Sequence, residues 1–142
     1  MILYLDTSAF VKVYIDEPNA AAIRVAAEDA DMLATSIVAY AEMRSACARR
    51  QRSGDLSIDD LDQIKSKSEQ DWLEVEVLLL DDRTVRRAGE FAESHRLKGF
   101  DAIHLASAEA LRNAVGPITF ACFDDELARG ASSCGMSLLS SA

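Results

Sequence analysis

Ile2, Leu3, Tyr4 and Leu5 form a short unbroken apolar run of β-favouring type, which suits a strand covered on both faces and placed in the middle of a sheet. The run ends at Asp6, and Thr7 and Ser8 follow before Ala9, Phe10, Val11 and Val13 resume an apolar pattern at helical spacing. A carboxylate and two hydroxyls therefore fall on the turn from a buried strand into a helix, where side-chain oxygens cap orphan amides and where open α/β sheets bind ligands. The spacing then predicts a helix from Ala9 to Ile15, closed by Asp16, Glu17 and Pro18, and an Ala-rich helix from Asn19 to Asp29 with Asn19 as its cap. A second strand is expected at Met32 to Thr35. Thr35 and Ser36 offer a cap to a helix from Ile37 to Arg52, ended by Gly54, and Ser57 precedes a further helix from Ile58 to Leu73.

The second half repeats the alternation. Val75 to Leu80 is the candidate third strand, followed by Asp81, Asp82 and a helix to about His95. Phe100 to Val115 is apolar around most of its circumference, which predicts a helix packed closely on the sheet. Ile118 to Phe123 is the fourth strand, Asp124 opens a helix to about Ser133, and Met136 to Leu139 is the fifth strand. Strands alternating with helices predict the α/β class, as a three-layer α/β/α sandwich around a parallel sheet of about five strands. No repeat or linker interrupts the pattern, so residues 1–142 are read as a single domain.

Composition narrows the function classes. The chain is 49% hydrophobic and 27% charged, ordinary globular values, and no apolar run approaches the ~18 residues of a membrane span. The apolar N-terminal run has no basic region ahead of it and meets Asp6 at once, so it does not read as a signal peptide. Cys47, Cys122 and Cys134 are odd in number and widely spaced, which points to reduced thiols and a cytoplasmic location. A net charge of -9 argues against broad electrostatic attraction to nucleic acid, but it suits a carboxylate-rich site for a cation. Local basic groups occur at Arg44, Arg49, Arg50 and Arg52 and again at Arg83, Arg86 and Arg87.

Four acids stand where chemistry is best placed or a polar group is least expected: Asp6, Glu42, Asp101 and Asp124. Asp6 and Asp124 each follow an apolar strand, so in right-handed parallel units both lie on the carboxyl edge of the sheet. Strands ~4.8 Å apart allow carboxylates at neighbouring ends to share one cation. Glu42 lies on the small-residue stripe of Val38, Ala41, Ser45 and Ala46, and Asp101 begins the most apolar helix. Asp6, Asp101 and Asp124 could each be a helix cap, and Glu42 could sit at the edge of its stripe. Jointly they form the oxygen-ligand set a hard cation needs, and without metal such crowded charges should raise one another's pKa. On that reasoning Glu42→Gln and Asp124→Asn would each stabilise the metal-free chain.

Asp6-Thr7-Ser8-Ala9 after the first strand, Ala41-Glu42-Met43, Asp101 to Ala106, and Asp124 to Ala128 resemble, in order and spacing, the four motifs of the PIN-domain ribonucleases of VapC toxin type. The resemblance spans nearly the whole chain. It implies a 3-2-1-4-5 strand order and a metal-dependent endoribonuclease, the toxin of a toxin-antitoxin pair. It implies one or two Mg²⁺ or Mn²⁺ ions held by Asp6, Glu42, Asp101 and Asp124, which serve as metal ligands and catalytic residues, with Ser8 and Asp125 in support. It also implies an RNA substrate, a cognate antitoxin and a homodimer. Cys122 departs from the pattern, standing where many relatives have Thr.

Two alternatives use the same residues differently. A haloacid-dehalogenase-like phosphatase also places an Asp after its first strand but needs a second two residues on, where this chain has Ser8. A non-catalytic PIN module binding a protein partner fits the acidic charge but gives no reason for all four acids. His104, one turn after Asp101, reads as a structural histidine of a buried helix rather than a general base. Trp72, Tyr4, Tyr14 and Tyr40 are scattered and form no evident stacking platform for bases.

Overall fold

The strand β1 (Ile2–Leu5) owes its unbroken apolar sequence to burial on both faces, and the rest of the molecule is layered about it. Leu3 and Leu5 point into one core cluster with Phe10, Ile23, Met43 and Cys47, while Tyr4 between them joins the opposite cluster of Phe91, Leu105, Phe120 and Leu127. The computed structural model describes residues 1–139. Among the described residues the remaining elements are α1 (Thr7–Tyr14), α2 (Ala20–Asp29), β2 (Met32–Ser36), α3 (Val38–Arg52), α4 (Ile58–Trp72), β3 (Glu76–Leu78), α5 (Asp82–Ser94), α6 (Gly99–Val115), β4 (Thr119–Ala121), α7 (Asp125–Ser133) and β5 (Ser137–Leu138). The sheet runs β3-β2-β1-β4-β5, and every pairing is parallel.

The expected three-layer α/β/α architecture and strand order are therefore present. Helices α1 to α4 supply one outer layer and α5 to α7 the other. Helix α6 is the most buried, with His104, Leu105, Ala106, Ser107 and Ala108 all inaccessible between the sheet and the neighbouring helices α5 and α7. No helix of the described residues is long and apolar enough to cross a membrane.

Local chemistry corrects several boundaries. Asn19 does not cap α2 with its side chain; it adopts a left-handed conformation at φ 71°, a region short polar residues tolerate. Ser57 and Asp60 form a reciprocal capping box at the start of α4. The outer strands are shorter than their apolar runs, because β3 and β5 pair on one side only.

Thr35 is not a cap for α3 but a buried residue of β2, and its hydroxyl donates to the Leu5 carbonyl at 2.7 Å. That bond ties β2 to the last residue of β1, next to Asp6. Thr35→Val keeps shape but deletes the donor, so it should cost about 1 kcal/mol, read as a lower thermal midpoint. An unchanged midpoint would show that the bond contributes nothing to the edge that carries the site.

Candidate active site

The parallel order brings the carboxyl ends of β1 and β4 side by side, and Asp6 follows the first of them. Asp6 caps α1: its Oδ1 accepts from the Ala9 amide at 2.9 Å and from the Ser8 hydroxyl at 2.7 Å. The residue is only 4% exposed, and no cationic group lies within ion-pair distance among the described residues. Burial therefore pushes its carboxyl up to about 6, a rise that the neighbouring His104, the Ala9 amide and the Ser8 hydroxyl only moderate.

Asp101 lies in the first turn of α6, whose cap position is Lys98, so it is not itself the cap. Half-buried and facing Asp124 and Glu42, its carboxyl is raised above the ordinary value, first by burial and then by the Asp124 charge. Asp124 is exposed and caps α7 through the Leu127 amide at 2.9 Å. Asp6, Glu42 and Asp101 share one open groove of about 590 Å³, and Asp124 stands beside it rather than in its wall.

Glu42 behaves oppositely to the other two. Burial pushes its carboxyl up, but His104 and Thr7 more than offset this and hold it below the ordinary value. Thr7 Oγ1 donates to Glu42 Oε1 at 2.5 Å, and His104 Nε2 lies 3.0 Å from the same oxygen. Crowding thus adds to burial at Asp101, is the least of the causes at Asp6, and fails at Glu42, whose charge has partners. Glu42→Gln would remove a satisfied acceptor and should not stabilise the metal-free chain.

The groove's rim is basic. Lys12, Arg49, Arg50 and Lys98 line it with the acids, and Glu17 anchors Lys12 and Arg50, each at 2.7 Å. Arg49 and Arg50 belong to a cluster visible in the sequence, whereas the bridging role of Glu17 had no local signal. The second basic cluster is spent elsewhere: Arg87 pairs with Glu90 and Glu109, and Arg86 with Asp82, along a separate cavity of about 650 Å³ between α5 and α6. Ser8 is committed to Asp6, and Asp125 is exposed in the first turn of α7. Burial pushes the Cys122 thiol up to about 12, so it is no nucleophile.

Among the described residues, no three histidine, cysteine or acidic side chains stand close enough to form a ready-made metal cage. The donor set still fits a small hard cation such as Mg²⁺, which keeps most of its waters and needs only one or two carboxylates from protein. Asp6 and Asp101 are the pair whose raised carboxyls a positive charge would relieve.

The sequence profile described as the PIN domain matches residues 3–131. Over 134 residues the chain is 32% identical to Ribonuclease VapC45 of Mycobacterium tuberculosis, covering 94% of this chain and 92% of that protein. Its fold is similar to the crystal structure of FitAcB from Neisseria gonorrhoeae, with TM-score 0.65, 17% identity and coverage of 99% and 97% of the two chains. A toxin-antitoxin complex from Klebsiella pneumoniae superposes with TM-score 0.63 at 13% identity over 86% of each chain.

Proposed function

The chain belongs to the PIN-domain family, and from that premise we propose that it is a metal-dependent endoribonuclease, the toxin half of a toxin-antitoxin pair. The observation that carries the reading is the pairing of buried, charge-starved Asp6 with Asp101 at the floor of a groove rimmed by Lys12, Arg49 and Lys98. An acidic floor suits a divalent cation, and a cationic rim suits a phosphodiester backbone. Such a rim gives an overall acidic protein a local surface for RNA.

In this reading Asp6, Asp101 and Glu42 would hold Mg²⁺ or Mn²⁺, with Asp124 beside them. When bound, the ion supplies Lewis acidity to a phosphate oxygen and to a water. The chain's own groups do the rest. Lys12 and Lys98 place the phosphate, and Glu42, ionised and fixed through Oε1, keeps Oε2 free toward the groove. Ser8 locks the Asp6 carboxylate through Oδ1, and Asp125 lies one residue outside the acidic set. The phosphatase alternative finds Ser8 where it needs a second carboxylate. The toxin reading brings with it a cognate antitoxin, a homodimer and a cytoplasmic setting, the last in keeping with three free cysteines among the described residues.

The test is cleavage of single-stranded RNA by purified protein with Mg²⁺ or Mn²⁺, with chelator, and by Asp101→Asn. Cleavage should require the metal and the Asp101 carboxylate. Equal cleavage in chelator, or by the variant, would overturn the reading.

A further inference from the structure

We propose that His104 is a positioning residue that acts through Glu42, with Tyr4 fixing its ring from behind; the inference rests on the functional reading above. His104 is 1% exposed and Tyr4 fully buried, yet their polar atoms form a continuous path to the groove. Tyr4 Oη lies 2.9 Å from Nδ1, and Nε2 lies 2.9 Å from Thr7 Oγ1 and 3.0 Å from Glu42 Oε1.

For a neutral imidazole the donor inventory assigns every proton in this path. The Thr7 hydroxyl spends its hydrogen on Glu42 Oε1, so its oxygen can only accept from His104. An ionised Glu42 also only accepts. Nε2 must therefore carry the hydrogen and share it between the two oxygens, which leaves Nδ1 as acceptor for the Tyr4 hydroxyl. The Tyr4 ring holds the imidazole edge-on, with centroids 5.9 Å apart at 76°, and is itself stacked on Phe120 at 5.2 Å.

The consequence lies in which oxygen is used. Both hydrogen bonds to Glu42 fall on Oε1, and among the described residues Oε2 has none. The network thus fixes the carboxylate's rotation and leaves one oxygen free toward the groove. Hydrogen bonds behind a ligating carboxylate commonly tune metal affinity in this way. A histidine serving only the core would have no need to reach a half-exposed acid.

The experiment measures Mn²⁺ affinity by calorimetry, with no RNA present, for His104→Leu and Tyr4→Phe, each in wild-type and Glu42→Gln backgrounds. If His104 acts through Glu42, His104→Leu should weaken Mn²⁺ binding about tenfold with Glu42 present and not at all in Glu42→Gln. Tyr4→Phe should give a smaller drop with the same dependence on Glu42, and it keeps the ring packing should His104→Leu fail to fold. An equal loss in both backgrounds, or no loss, would overturn the proposal. RNA cleavage is scored separately: a His104-dependent Mn²⁺ site in a protein that cuts no RNA would leave this inference standing and remove the nuclease reading.

Discussion

Asp6→Asn should make the metal-free protein more stable at neutral pH while lowering RNA cleavage by more than ~10²-fold, since a metal ligand outranks the supporting groups whose loss costs that much. The stability gain follows from linkage. The Asp6 carboxyl has an ordinary value of 3.8 and is raised to about 6 by burial in the folded chain. Because the folded protein holds this proton more tightly than the unfolded chain, the group's favourable contribution is complete below pH 3.8 and is lost as pH rises through about 6. At pH 7.5 the ionised group costs the fold about 3 kcal/mol at most, from about 1.4 kcal/mol per unit of displacement. Asn keeps the acceptor for the Ala9 amide and carries no charge, so the variant's midpoint in chelator should lie higher by on the order of 10 °C at pH 7.5 and by about half as much at pH 5. Added Mg²⁺ should reverse the order, since only wild type gains from binding. A variant that melts at or below wild type in chelator at pH 7.5 would show that Asp6 is not a charge waiting for a cation.

The two faces of that experiment also mark what the sequence could reveal. The place of Asp6 on the carboxyl edge was legible because the residue directly follows an apolar strand, and the all-parallel register then puts it beside the end of β4. The layers were legible for a similar reason, since Leu3, Tyr4 and Leu5 leave no side of β1 for water, whereas the strand order came only with the family resemblance. What stayed hidden depends on contacts between residues far apart in the chain. Glu42 belongs to the acidic set by position, yet its behaviour is decided by His104, 62 residues away, and by Thr7, 35 residues away. His104 read correctly as buried, but nothing local says that Nε2 reaches the groove. Asp124 kept its helix-cap identity, its Oδ1 accepting from the Leu127 amide, and sits at the groove's margin. Asn19 and the ends of β3 and β5 differ because a left-handed turn and one-sided pairing are set by neighbours, not by apolar runs.

A cognate antitoxin should inhibit by placing an Arg or Lys against Asp6 and Asp101, and its affinity should fall roughly thirtyfold for Asp6→Asn or Asp101→Asn measured in chelator. The argument is electrostatic. The groove holds two acids with raised carboxyls and, among the described residues, no ion-pair partner, and a guanidinium supplies a fixed charge with paired donors that match a carboxylate. Removing one side of a hydrogen-bonded charge pair at an interface costs 2 kcal/mol or more, hence about that loss of affinity. Two further signs should accompany it. Free Asp6 keeps its proton up to about pH 6, and a cation beside it favours the ionised form, so binding should release protons and tighten between pH 5 and 7. Mg²⁺ occupies the same oxygens and should weaken the complex. Calorimetry in buffers of different ionisation enthalpy reads the affinity and the proton release together. Equal affinity for wild type and both amide variants would sink the basic plug and leave inhibition to steric cover of the groove.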